Sequence, residues 1–202
     1  MDKNSIIIED IRTIAGLLGK TAEQFSGKTI LITGGLGFLG RYLVNTILFL
    51  NGYALKKPAK IIIIDNNITS TKGNFNLFDD KKSVIYINHN IIKPLKISQP
   101  IDYIIHAAGL ASPFYYQKYP LETIDVAVTG TRNMLELAKQ KKVKSMLFFS
   151  SSEIYGDPPP SEIPTKEIFR GNVSSIGERA CYDESKRLGE TLCMTYFRLY
   201  KT

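Results

Sequence analysis

Two short runs in the sequence bring together side chains that can move a proton. In Tyr182-Asp183-Glu184-Ser185-Lys186 a phenol and an ammonium stand four positions apart, which puts both on one face of a helix. A cation held near a phenol stabilises the phenolate, so Tyr182 is suited to take a proton near neutrality. Upstream, Ser150-Ser151-Ser152-Glu153-Ile154-Tyr155-Gly156 supplies hydroxyls and a carboxylate of the kind that hydrogen-bond a reacting oxygen. Tyrosine and lysine at this spacing occur by chance in many helices, so the pair gains meaning only beside a cofactor.

A third run provides for one. Thr33-Gly34-Gly35-Leu36-Gly37-Phe38-Leu39-Gly40 follows a β-branched stretch and opens a helical pattern. Gly35, Gly37 and Gly40 fit GxGxxG, and Gly34, Gly37 and Gly40 fit TGxxGxxG. Glycine serves here because the turn is tight, the backbone must approach a pyrophosphate and the helix must pack close to the strand. The first amides of that helix and its dipole then face the phosphates. Asp65 closes the run Ile61 to Ile64, where a carboxylate accepts bonds from the adenosine ribose hydroxyls and repels a 2′-phosphate. NAD is therefore expected in preference to NADP.

The elements that must position these groups follow from periodicity. Thr29 to Thr33, Lys60 to Asp65, Val84 to Asn88, Asp102 to His106 and Met146 to Ser151 read as buried strands. Leu39 to Leu50 and Leu121 to Gln140 have helical spacing between them, and a final helix is expected over about Tyr182 to Tyr200. Strands alternating with helices predict an α/β fold, a Rossmann-type doubly wound parallel sheet with helices on both faces. Residues 1–27 form a helical extension in which Ile8, Ile11, Ala15 and Leu18 mark an apolar face, expected to pack on the domain or on a partner subunit. Residues 28–202 are the cofactor-binding domain.

At 202 residues the chain suits one large domain, and 44% apolar with 22% charged residues excludes disordered and fibrous classes. No apolar stretch approaches the 18 or so residues of a membrane span, and the N-terminus lacks a signal-peptide core, so a cytoplasmic location is expected. Cys181 and Cys193 share a helix and are expected as packing residues. With His89 and His106 as the only histidines, no metal site is expected. The formal charge of +7 comes largely from lysines in short groups, read as solvated faces, and neither a nucleic-acid nor a membrane partner is expected.

In this order, TGGLGFLG, a strand-end Asp, SSSEIYG and YDESK resemble the extended short-chain dehydrogenase/reductases, specifically the NAD-dependent sugar-nucleotide epimerases, dehydratases and decarboxylases. INHNIIKPL (87–95), HAAGLASP (106–113), SSEIYGDP (151–158) and GERACYDESKRLGETLC (177–193) resemble the UDP-glucuronate decarboxylase branch. The resemblance implies that Tyr182 is the catalytic base, that Lys186 holds the nicotinamide ribose and tunes Tyr182, that Ser151 bonds the reacting oxygen, and that Glu153 is the active-site glutamate. It implies a cofactor site of Gly34, Gly37, Phe38, Leu39, Gly40, Asp65, Asn66, Asn90, Ile91, Ala107 and Ala108, with Tyr182 and Lys186. A UDP-sugar is the favoured substrate and a homodimer the expected assembly.

The implied reaction is 4-oxidation, decarboxylation and re-reduction. A 4-epimerase, a 4,6-dehydratase or a non-catalytic NAD-binding module remain alternatives. Ser152 stands where one class of dehydratases has a proton-donating aspartate, which argues against that class. Asn90 replaces the family's usual aspartate near the adenine, and Ala127 replaces an asparagine. The family continues past the Tyr-Lys helix with further strands and a C-terminal substrate domain, so this chain is expected to be the cofactor-binding portion, unable to turn over by itself.

Overall fold

Five of the apolar runs become the strands of one parallel sheet in the computed structural model, which describes residues 3–69 and 80–201. Met1, Asp2 and Thr202, the outer ends of the two expected segments, and residues 70–79 lie outside the described residues. The strands are β1 (Thr29–Thr33), β2 (Lys60–Asp65), β3 (Val84–Asn88), β4 (Tyr103–His106) and β5 (Ser145–Phe148). Their order is β3-β2-β1-β4-β5. The chain builds outward from β1 on one side and then returns to build from β4 on the other. The strand order therefore reverses between β1 and β4, and a crevice opens beyond their carboxyl ends.

Strand alternation divides the core into two layers. Leu31, Ile62, Ile64 and Ile104 point to one face and pack with Met134, Leu137 and Ala138 of helix α5 (Thr131–Lys141). Ile30, Ile32, Ile61 and Ile63 point to the other and pack with Val44, Ile47 and Leu48 of helix α2 (Phe38–Tyr53). The expected doubly wound arrangement, with helices on both faces, is what forms. The amino-terminal helix α1 (Lys3–Leu18) lies against α2, with Ile11 fully buried and the Tyr42 hydroxyl donating to Asp10 at 2.9 Å.

Several boundaries differ from the sequence expectation. The fifth strand ends at Phe148 because the next carbonyl, that of Phe149, turns to accept from Lys186, and Ser151 caps a short 3-10 turn, Ser152–Tyr155. Asp102 stays outside β4 and uses its carboxylate to accept from the Thr29 amide at 3.0 Å. β3 and β5 are edge strands and are not buried; Ile85, Tyr86 and Leu147 are exposed. The expected helix Leu121 to Gln140 is three consecutive pieces, α4 (Pro120–Asp125), a π turn (Val126–Gly130) and α5, preceded by an unforeseen short helix α3 (Pro113–Lys118). The last helix, α6, begins two residues early and spans Ala180–Tyr200. Cys181 and Cys193 are both free thiols within it.

The Asp102 carboxylate ties the start of β1 to that of β4, bonding the Thr29 amide and pairing with Lys28 at 3.4 Å. Asp102→Ala leaves a buried amide without an acceptor and is expected to lower stability by about 1–3 kcal/mol. Urea unfolding checks this: the midpoint should fall with an unchanged slope, and Asp102→Asn should recover part of the loss.

Candidate functional site

The site begins where β1 ends. Gly34 has a φ of +68°, a left-handed conformation that favours glycine, and a Cβ there would lie 2.8 Å from Cα of Ala108. A Cβ on Gly40 would overlap the Gly34 carbonyl oxygen. The turn thus lets β1, the loop after β4 and the first turn of α2 touch backbone to backbone. No side chain caps α2, so its first amides remain available to an anion, reinforced by the helix dipole. Phe38 and Leu39 are 77% and 51% exposed and their side chains line no part of the crevice. What they present towards the turn is their backbone amides, and Gly40 serves as a packing residue beneath the turn.

The crevice walls contain Gly34, Gly37, Asp65, Asn66, Asn90, Ile91, Ala107 and Ala108, all expected from the sequence, around a cleft that is open to solvent. Three of the polar wall residues are oriented by backbone amides. Asp65 accepts from the amides of Leu36 and Asn67, at 3.0 and 2.9 Å. Asn66 accepts from Ile68 and Asn90 from Ile92, each at 3.2 Å. Ile91 is held by Asn133, which donates to its carbonyl at 2.8 Å, and the π turn brings in Gly130, where a Cβ would strike the Ile91 side chain at 2.7 Å. Ala127 is buried inside the same π turn. Ile64, Ile68, Thr69, His89, Ile92, Gly109, Leu110, Glu122 and Val126 complete the walls and lie outside the expected site. Gly109 and Leu110 lie within HAAGLASP and His89 and Ile92 within INHNIIKPL, two of the runs that carry the resemblance, whereas Ile68, Thr69, Glu122 and Val126 come from segments with no motif of their own, of which Glu122 stands in the first turn of a proline-initiated helix.

These features fit a dinucleotide. The glycine cradle would take the pyrophosphate, Asp65 would take the adenosine ribose, and no lysine or arginine is among the described lining residues to neutralise a 2′-phosphate.

Under the cradle runs a buried polar chain. The Ala108 amide donates to Thr33 Oγ1 at 3.1 Å, Thr33 Oγ1 lies 2.7 Å from His106 Nδ1, and His106 Nε2 lies 3.0 Å from Thr131 Oγ1. With Thr33 donating to Nδ1, the proton of the neutral imidazole is assigned to Nε2. Burial, and then the positive charge of Lys186, push His106 down to about 3.

Helix α6 carries Tyr182 and Lys186, neither of which is among the described residues lining the crevice. It seats against β5 at Gly189, where a Cβ would meet the Phe148 ring at 2.5 Å. Tyr182 is buried, with its ring stacked on Tyr116 of α3 at 5.2 Å between centroids. Lys186 donates to the Phe149 carbonyl at 2.6 Å, and its Nζ lies 3.6 Å from where a Cβ of the crevice residue Gly109 would be. The ammonium therefore reaches from α6 to the crevice wall. Its distance to the Tyr182 ring centre is 5.9 Å, and burial lowers it to about 8. Ser151 Oγ accepts from the Glu153 amide at 3.3 Å, and the Glu153 carboxylate pairs with Arg179. Asp183, also beside Arg179 at 3.8 Å, is held above the usual carboxylate range by burial. Arg187 fastens the whole segment by donating to the carbonyls of Ile154 and Arg170, at 2.7 and 2.9 Å. Neither Arg179 nor Arg187 was singled out from the sequence.

Two measurements follow from this geometry. Below the ordinary histidine value of about 6.5 the unfolded chain takes up a proton that buried His106 refuses until about 3. Stability should therefore fall as pH drops through that window, by about 1.4 kcal/mol per pH unit from this group, and His106→Gln should flatten the slope in pH-dependent unfolding. Asp65→Ser should weaken NAD by about tenfold or more while affecting NADP less, so the NAD-to-NADP ratio in calorimetric titrations should fall.

Comparison with known proteins places the chain. The sequence profile of the "NAD dependent epimerase/dehydratase family" matches residues 30–202. UDP-glucuronic acid decarboxylase 1 of Arabidopsis thaliana is 42% identical over 170 residues, covering 84% of this chain and 36% of that protein. The protein of the same name from Danio rerio is 39% identical over 179 residues, covering 89% and 40%. A crystal structure of a UDP-galactose 4-epimerase superposes with a TM-score of 0.67 at 27% identity, over 86% of this chain and 52% of that one. The chain thus spans about two fifths of the length of these decarboxylases. With its profile matched from the first strand through the Tyr-Lys helix, the chain belongs to the NAD dependent epimerase/dehydratase family.

Proposed function

We propose that this chain is the cofactor-binding portion of an enzyme that decarboxylates UDP-glucuronate. The observation that carries the reading is the reach of Lys186 from the Tyr182 helix to the Gly109 wall of the dinucleotide crevice, which supports a shared site for the acid-base groups and the cofactor. The identity to decarboxylases over four fifths of the chain supports the choice of reaction. When bound, NAD supplies removal and return of hydride at the sugar C4, which makes the uronic acid a β-keto acid able to lose its carboxylate as carbon dioxide.

The chain's own residues do the rest. Tyr182, its ring fixed by Tyr116, takes the proton of the sugar 4-hydroxyl. Lys186 stabilises the resulting phenolate electrostatically, because its ammonium is buried and anchored on the Phe149 carbonyl. Ser151 hydrogen-bonds the reacting oxygen, and Glu153 acts beside it as the second acid-base group, poised by Arg179. The cradle over Gly34 to Gly40 orients the nicotinamide end by holding the pyrophosphate.

A homodimer through α4, α5 and α6 is part of the same reading, supported by Leu121, Ile124, Leu188 and Phe197, which are exposed there. A cytoplasmic location is likewise proposed; among the described residues no helix is long and apolar enough to cross a membrane.

In a version extended to the length of the relatives, Tyr182→Phe should reduce carbon dioxide release from UDP-glucuronate by about 10²–10⁴-fold with NAD binding retained. Undiminished turnover would remove Tyr182 from the role of base, and absence of UDP-xylose from the unsubstituted enzyme would overturn the reaction itself.

A further inference from the structure

Lysines that look scattered along the chain converge at one end of the folded molecule. All five strands start at the edge opposite the cofactor crevice. Lys28 immediately precedes β1, Lys60 opens β2, Lys82 stands two residues before β3 and Lys144 immediately precedes β5. Their backbones are linked sideways: the Lys60 amide donates to the Lys28 carbonyl at 2.7 Å, and the Lys144 amide to the Asp102 carbonyl at 2.8 Å. Strands in a sheet lie about 4.8 Å apart, so this row extends for about 20 Å. Lys57, whose carbonyl accepts from Gly27, and Lys142, at the end of α5, widen it into a patch.

The carboxylates described at this edge already have partners. Asp102 serves Thr29 and Lys28, Asp80 accepts from the Ser83 amide, and Glu23 pairs with Lys56 at 4.0 Å. Lys57, Lys60, Lys82, Lys142 and Lys144 are exposed and have no carboxylate partner among the described ion pairs. A helix carboxyl terminus attracts lysine and explains Lys142. Lys28, Lys60 and Lys82 precede strands, whose dipoles are small, so the fold does not call for positive charge there.

We propose that this edge rests on an anionic membrane surface, with the crevice facing away from it. The named residues of the patch are lysines without arginine, which suits diffuse attraction to many headgroups and offers no guanidinium forks for base recognition. Tyr53, 74% exposed beside Lys57 at the end of α2, with one face stacked on Phe49, adds an amphipathic ring of the kind that sits at headgroup depth. The expectation of no membrane partner treats these lysines as separate solvated faces and does not include their convergence at one edge. The proposal is independent of the activity proposed above.

The test is co-sedimentation of the 202-residue chain with vesicles of phosphatidylcholine alone and with vesicles containing about one third phosphatidylserine. Binding is expected to the second only and should decline with added salt as the Debye length shrinks from about 10 Å at 0.1 M towards about 3 Å at 1 M. The triple variant Lys57→Glu/Lys60→Glu/Lys144→Glu should lose at least about tenfold in partitioning. Arg12→Glu/Lys118→Glu/Lys166→Glu, with the same change in net charge away from the edge, should stay within about twofold of the original. The corresponding Lys→Gln triple variant should also lose binding, and unchanged NAD affinity and melting temperature in it show that folding is intact. Equal binding to both vesicle types, no binding to either, an equal loss in both charge-reversal variants, or binding to duplex DNA in place of vesicles would overturn the proposal.

Discussion

The crevice exists because three backbone segments approach one another with no side chain between them. Gly34 lies against Ala108 and Gly40 lies beneath the Gly34 carbonyl, so β1, the loop after β4 and the start of α2 converge on one point. A single methyl group at either glycine would force them apart, since a packed interior accommodates even one added methyl poorly. The exposed amides of α2, the height of Asp65 and the position of the Gly109 wall all inherit their geometry from that contact.

The contact is braced from below by the Thr33, His106 and Thr131 chain, which links the ends of β1 and β4 to the start of α5. Burying a neutral histidine is favourable only while both ring nitrogens are paired, and here each has a threonine. The same histidine stacks obliquely on Phe148, against which Gly189 of α6 is seated. One layer of side chains therefore connects the cofactor cradle to the helix that carries Tyr182 and Lys186. The low value of His106 and the reduced value of Lys186 have a common origin, the removal of both groups from water.

Much of this was legible in the residue order, for local reasons. β1, β2 and β3 match their expected bounds because each is an apolar run with abrupt polar ends. The glycine turn and Asp65 declare themselves because their backbone demands leave few alternatives to glycine and a carboxylate. What remained hidden is made by distant pieces. The far wall of the crevice joins Gly109, Glu122 and Val126 to the glycine turn, and no periodicity links them. Arg179 and Arg187 act on carbonyls and a carboxylate far upstream in the chain, which no spacing rule reveals. The fifth strand was read as too long because Phe149 to Ser151 keep a strand-like composition while Lys186 draws the Phe149 carbonyl away. The π turn escaped notice because its extra residue leaves the helical dihedrals intact, and the expected helix simply continues through it.

The most direct test of the account is amide NMR of the 202-residue chain titrated with NAD. Saturable, one-to-one binding should shift the amides of Gly34 to Gly40, Asp65, Asn66, Asn90 and Ala107 to Gly109, with smaller changes along α6 near Lys186, and should leave the opposite edge at Lys60 and Lys144 unmoved. No saturable shifts, or shifts centred on that opposite edge, would contradict the placement of the cofactor and with it the chemistry built around it.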